Sequence, residues 1–283
     1  MDARPAGKFV SANGLKLRYL DYGGEGNPPL LCIHGLTGCA HNFDALAPHL
    51  ISGYHVMSLD VRGRGESQWG PPMDYTVPSY IGDLAAMLDQ LGIDKVTLIG
   101  TSMGGIISLA YAGGFPDRVA KLVLNDIGPE IDPAGAKRIG SYVGEAPSEF
   151  ANISEVVAYY RQHYPPLAAA PEPALIRWVE PLIKPTSGGG LTFRMDPAVR
   201  RAMRAVGAAA RTPDLWMQYA RITAPILIVR GADSDVLSAA TARRMCQVLK
   251  GVRLAEIPGV GHAPSLVEPE ALAAIREFLG TGT

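Results

Sequence analysis

Gly100-Thr101-Ser102-Met103-Gly104, with Gly105 behind it, sets one serine among small residues. A G-x-S-x-G string arises by chance about 0.2 times in a chain of this composition, so its weight comes from its setting. The apolar run Val96-Thr97-Leu98-Ile99 precedes it directly, and a segment of helical period, Met103 to Gly113, follows. A serine at so sharp a strand-to-helix turn takes a strained backbone that small neighbours tolerate, and its Oγ is lifted above the sheet edge at a helix N-terminus. There a hydroxyl can attack a carbonyl carbon, provided an imidazole takes its proton and a carboxylate orients the imidazole.

The elements that must hold such groups can be read from the pattern. Short apolar runs bounded by Gly and Pro alternate with longer helix-period segments, which predicts a parallel sheet built from βαβ units. The clearest strands are Leu30 to Ile33, Val56 to Leu59, Val96 to Ile99 and Pro225 to Val229, apolar on both sides as in a sheet covered on both faces. Leu122 to Leu124 and Arg253 to Ile257 extend the set, and Asn13-Gly14 predicts an opening hairpin between Gly7 to Ser11 and Leu15 to Tyr22. Helices are predicted over Ser79 to Leu91, Met103 to Gly113, Ala239 to Lys250 and Pro269 to Leu279. The alternation breaks between about Gly128 and Thr223, where the period turns helical. So long an insert reads as a subdomain, not a loop, with Ser187-Gly188-Gly189-Gly190 as a flexible stretch inside it. The expected organisation is a core of residues 1–128 and 220–283 around a helical unit of residues 129–219.

Composition excludes several function classes. The 283 residues are enough for a large packed core, and 26 basic against 27 acidic residues leave a net charge of −1, with no field to attract nucleic acid. The cysteines, Cys32, Cys39 and Cys246, lack the paired spacing of a zinc site or disulfide framework and read as packing residues of a reducing compartment. No apolar run is long enough to span a bilayer and the N-terminus lacks a signal-peptide core, so no membrane association and a cytoplasmic location are expected. The oligomeric state is not legible.

With Gly100 to Gly105 after one strand, His34-Gly35-Leu36-Thr37-Gly38 after Leu30 to Ile33, and Asp60-Val61-Arg62-Gly63-Arg64-Gly65-Glu66-Ser67 after the next strand, the chain resembles the α/β-hydrolase family over nearly its whole length apart from the insert. The resemblance implies a mostly parallel, doubly wound eight-stranded sheet with a helical cap inserted after strand six. It implies an oxyanion hole from the backbone amides of Leu36 and Met103, with His34 organising that loop instead of carrying protons. It makes His262, in Pro258-Gly259-Val260-Gly261-His262-Ala263-Pro264 after the last strand, the catalytic base. The remaining histidines are His41, His49, His55 and His163. The acid is expected after strand seven, in Arg230-Gly231-Ala232-Asp233-Ser234-Asp235-Val236-Leu237, where the local pattern favours Asp235 over Asp233. Three residues on from Gly231 stands Ser234, so the usual spacing is broken by one. Asp126, in Asn125-Asp126-Ile127-Gly128, is a third choice, since some relatives recruit the acid after strand six.

The expected activity is hydrolysis of a small carboxylic ester through an acyl-enzyme, on a small-molecule acyl substrate. Cofactor and metal are both expected to be none, as no G-x-G-x-x-G follows the first parallel strand and no metal-ligand spacing occurs. A serine nucleophile also argues against relatives that use a carboxylate in its place. C–C bond or lactone hydrolysis on the same residues is the alternative within enzymes, and a ligand receptor retaining the serine is the alternative outside them. The insert carries nine aromatic residues from Tyr142 to Tyr219, of which two or three should reach substrate. The pocket candidates are His34, Tyr142, His163, Trp178 and Trp216.

Overall fold

A computed structural model of the chain describes residues 5–164, 167–168, 170–206 and 214–281. Its main sheet has eight strands: β1 (Ala6–Ala12), β2 (Leu15–Gly23), β3 (Pro29–Ile33), β4 (His55–Leu59), β5 (Val96–Thr101), β6 (Val119–Asn125), β9 (Ile226–Gly231) and β10 (Val252–Ile257). They lie in the order β1-β2-β4-β3-β5-β6-β9-β10. β1 and β2 form the antiparallel hairpin expected at Asn13-Gly14, both of which take positive φ, and β2 pairs antiparallel with β4. Strands β4, β3, β5, β6, β9 and β10 run parallel, so their C-terminal ends open on one edge of the sheet.

Helices α1 (Val77–Gln90), α2 (Met103–Gly114) and α8 (Ala239–Val248) cover one face, where Leu84, Ile107 and Met245 are buried against the strands. The other face is covered by α9 (Pro269–Leu279) and the turns after β3, through Ile275, Phe278, Phe43 and Leu50. Covering on both sides explains why the central strands are apolar at successive positions, with no polar alternation. The approach of α2 to the sheet is closest at two glycines. A side chain on Gly104 would meet the backbone oxygen of Ile33, and one on Gly100 would meet that of Gly104.

Between β6 and β9 lie α3 (Pro133–Glu145), α4 (Ile153–His163), α5 (Glu172–Val179), α6 (Pro197–Val206) and the short α7 (Trp216–Tyr219). Asp132 caps α3 by accepting from the Ala134 amide at 2.9 Å, and Asn152 caps α4 through the Glu155 amide at 3.1 Å. These elements bury their own cluster, including Val156, Tyr160, Leu175 and Phe193, which rests on the sheet domain through Cys39. A bond of 2.5 Å from the Tyr75 hydroxyl to Asp196 ties the two together. The insert is not wholly helical. Strands β7 (Ile183–Pro185) and β8 (Leu191–Phe193) form a hairpin, and Ser187 to Gly190, read from sequence as a flexible loop, is its turn. Gly189 sits there at φ +86°, and Thr186 Oγ1 accepts from the Gly190 amide at 3.1 Å. Three-residue strands are too short to show an alternating pattern in sequence.

The glycine contacts generate a test. Gly104→Ala should destabilise the protein by about 1–3 kcal/mol by overpacking against backbone that cannot rotate away. Urea unfolding would measure the change, and a variant as stable as wild type would show that α2 does not need this close approach.

Candidate active site

β5 ends on the predicted turn. Ser102 has φ 50° and ψ −114°, a conformation rare for any side-chain-bearing residue, and α2 begins at the next position. The strain is held by backbone bonds on both sides: the Ser102 amide donates to Asn125 O at 3.0 Å, and its carbonyl accepts from the Ile106 amide at 3.0 Å. The buried His262 arrives from the loop after β10, with Nε2 2.9 Å from Ser102 Oγ. Asn125, unassigned in the sequence reading, braces the arrangement: its Nδ2 donates to Pro264 O at 2.9 Å and to Thr101 Oγ1 at 3.1 Å.

At the acid the structure departs from the sequence preference. His262 Nδ1 lies 2.7 Å from Asp126 Oδ2, and Asp126 is fully buried just past the end of β6, at φ 54°. Its carboxylate also accepts from the Gly231 amide at 2.9 Å and from the Ser234 hydroxyl at 2.5 Å. Asp235, the favoured residue, turns instead to Arg138 of α3, which donates to both its oxygens at 2.5 and 2.7 Å. That hydrogen-bonded guanidinium holds the Asp235 carboxyl below the usual carboxylate range. Asp233 is exposed on the same loop. Ser234, at the position where the spacing points for an acid, is the residue that steadies the carboxylate of Asp126.

The loop after β3 is built around two buried groups. The His34 ring bonds Gly35 O through Nδ1 at 2.7 Å, and its Nε2 accepts the Val61 amide at 3.1 Å. A backbone N–H can only donate, so Nε2 carries no proton and the ring is neutral. Burial moves its pKa down to about 4. His34 is therefore an organiser of the loop that also lines the cavity. Arg64, buried beneath, donates to Leu36 O at 3.3 Å and to the Tyr80 hydroxyl at 2.9 Å. Met103 opens α2, and the amide of a first helical residue has no acceptor within its own helix.

Ser102, His262, His34 and Leu36 face a cavity of about 130 Å³, roofed from the insert by Ile139, Tyr142, Tyr164 and Trp178. Burial lifts the Tyr142 hydroxyl to about 12, so the roof presents neutral phenols. Two sequence candidates lie elsewhere. His163 lines a separate cavity on the outside of α3 and α4. Trp216 donates from Nε1 to Glu130 at 2.9 Å and stacks with Arg244, 3.9 Å from its ring centre, on the α8 side of the sheet. Periodicity marks an aromatic as buried but does not say against what. Ile139, Tyr164 and Leu167 also line the cavity from the insert and are not among the pocket candidates; the two aliphatic positions carry no chemical signature.

Among the described residues one group has the spacing of a metal site, Asp21, Glu25 and His55, near the C-terminal end of β2. The carboxylate of Asp21 is already engaged by Lys8 at 2.6 Å and His55 at 3.0 Å. No described helix is long and apolar enough to cross a membrane.

The family model for the alpha/beta hydrolase fold matches residues 28–269. The chain belongs to that family. It is 37% identical over 98% of its length to a 3-hydroxybutyrate-oligomer hydrolase of Cupriavidus necator, of which 99% is covered. It is 29% identical over 89% of its length to a 2-(acetamidomethylene)succinate hydrolase of Mesorhizobium japonicum, of which 88% is covered. Among solved structures, an alpha/beta hydrolase from Novosphingobium aromaticivorans superposes with a TM-score of 0.88 at 34% identity, with both chains covered completely. This α/β hydrolase is thus similar in sequence and in shape to other hydrolases.

The buried His34 generates a prediction about pH. Its folded pKa of about 4 lies below the ordinary 6.5. The neutral ring's contribution is therefore complete above pH 6.5 and is lost as pH falls toward 4, to the extent of about 3 kcal/mol. Urea unfolding at pH 7 and pH 4.5 should show wild type losing more stability on acidification than His34→Gln. Equal losses would mean that the ring is not held neutral.

Proposed function

We propose that this hydrolase is a serine esterase that cleaves the ester bonds of short hydroxyacyl oligomers through an acyl-enzyme. The observation that carries the reading is His262 bridging Ser102 Oγ at 2.9 Å and Asp126 Oδ2 at 2.7 Å. Asp126 accepts a hydrogen bond from Nδ1–H, which leaves the Nε2 lone pair facing the serine, and its charge stabilises the imidazolium once the serine proton has moved. Ser102 Oγ attacks the ester carbonyl while His262 Nε2 takes the proton. The amides of Leu36 and Met103 are the donors for the carbonyl oxygen as it becomes negative, each worth about 3 kcal/mol of barrier in comparable sites. The tetrahedral intermediate then collapses, the C–O bond breaks, and His262 returns its proton to the leaving alcohol. Water repeats the attack on the acyl-enzyme with the same base. Nucleophile, proton carrier and oxyanion donors all come from this chain, and the second nucleophile is solvent.

The substrate class is supported by the full-length similarity to the 3-hydroxybutyrate-oligomer hydrolase, and by the size of the cavity, which suits one short acyl unit next to the serine. The insert serves as a lid: α3 supplies Ile139 and Tyr142, α5 supplies Trp178, and Tyr164 follows α4.

The test is turnover of the linear 3-hydroxybutyrate dimer beside p-nitrophenyl butyrate. Ser102→Ala should abolish both activities. Asp126→Asn should lower kcat by about 10³- to 10⁴-fold by allowing the wrong imidazole tautomer, while Asp235→Asn stays within about tenfold of wild type. A large loss confined to Asp235→Asn would return the acid to the loop after β9. Rapid cleavage of a diketone with the esters untouched would replace ester hydrolysis by C–C bond hydrolysis, and failure of a fluorophosphonate to label Ser102 would make the protein a binder.

A further inference from the structure

The cavity at Ser102 is small, about 130 Å³, yet a larger one of about 420 Å³ opens on the outer side of the insert between α3 and α4. Among the described residues Tyr142 alone lines both. It also lines a narrow gap of about 10 Å³ that shares Thr37 with the lining of the inner cavity and Tyr159 with that of the outer one. The hydroxyl of Tyr142 meets Thr37 on the loop after β3, and its ring stacks on His163 of α4, with ring centres 6.3 Å apart and planes at 23°. Its backbone oxygen is fixed by the Tyr159 hydroxyl at 2.9 Å. The backbone is anchored, then, while the residue borders all three spaces.

We propose that Tyr142 is a gate, and that the outer cavity beyond it is a subsite for the distal units of a chain-like ester whose scissile bond lies at Ser102. The inference rests on the ester-hydrolase reading and deepens it. A rotation of the Tyr142 side chain away from Thr37 joins the two spaces without moving α3. The joined volume accommodates a molecule several units long, which the inner cavity alone does not. The outer cavity mixes aromatic surface, from Phe150 and Tyr159, with the polar side chains of Gln162 and His163 and the carboxylates of Glu145 and Glu155. That lining suits an extended, uncharged flexible chain better than a compact ring.

Gate and subsite are tested by separate variants on esters lengthened from each side of the scissile bond: p-nitrophenyl acetate against octanoate, and methyl against octyl butyrate. Tyr142→Ala should raise the ratio of long to short kcat/KM by about tenfold in one of the two series. Ala158→Trp, an exposed α4 position lining only the outer cavity, should lower the same ratio by about tenfold and leave acetate turnover within about twofold of wild type. The responding series identifies whether the acyl or the alcohol half enters the subsite. A ratio unmoved by Tyr142→Ala overturns the gate, and one unmoved by Ala158→Trp overturns the subsite. Should Tyr142→Ala not fold, by far-ultraviolet circular dichroism, Tyr142→Leu takes its place and is read in the same way. Wild type inert toward all four esters removes the esterase reading, and the gate with it.

Discussion

The site depends on one fully buried carboxylate. Asp126 is shut off from bulk solvent, and a carboxylate so placed is tolerated only where donors surround it. It has them: the Gly231 amide, the Ser234 hydroxyl and the His262 ring. Two of those donors are spent on holding the carboxylate in place, and the third is the imidazole whose tautomer the carboxylate decides. Because the surroundings are of low dielectric, the interaction between a cationic imidazole and this carboxylate is stronger than the same pair would have in water. In the proposed mechanism Asp126 would therefore act on Ser102 through the His262 ring, without touching the serine itself.

Backbone strain is the other half of the arrangement. Ser102 and Asp126 both stand at positive φ, each one residue beyond the end of a parallel strand. Such conformations persist only where neighbours over-determine them. Here the strands do it: the Ser102 amide is tied to Asn125 O and the Asp126 amide to Val229 O at 2.8 Å, so each turn is pinned to the adjacent strand. Gly100 and Gly104 let α2 press against the sheet at that point, which fixes where the serine emerges.

How far a sequence discloses this depends on whether the information is local. The serine turn, the hairpin at Asn13-Gly14 and most of the parallel strands are written in contiguous residues, and they occupy the expected places. His262 is recognisable by its loop and its position in the chain. Which aspartate faces it is not local, because the loop after β9 and the end of β6 lie far apart in the chain and side by side in the sheet. The pattern Ser234-Asp235 draws attention to a carboxylate that in fact pairs with Arg138, a partner contributed by the insert and invisible to any reading of that loop. The same limit applies to the roof. Tyr142 and Trp178 face the serine while Trp216 packs on α8, and nothing in their own flanking residues separates them.

The sheet explains why the acid can stand on either of two strands. β6 and β9 are neighbours, with Asn125 paired to Val229, so the turns that follow them converge on the same volume beneath the His262 ring. A carboxylate from either turn can reach Nδ1. What cannot be shared is the space: a second carboxylate at position 234 would bring two negative charges together in a buried site, and one of them would have to take up a proton. A serine there removes the repulsion and supplies a donor in its place, short enough not to displace the histidine and able through its own oxygen to accept the Val236 and Leu237 amides at 3.1 and 3.2 Å. A carboxylate after β6 and a hydroxyl after β9 are thus one structural choice, made jointly by two segments more than a hundred residues apart and joined by a hydrogen bond.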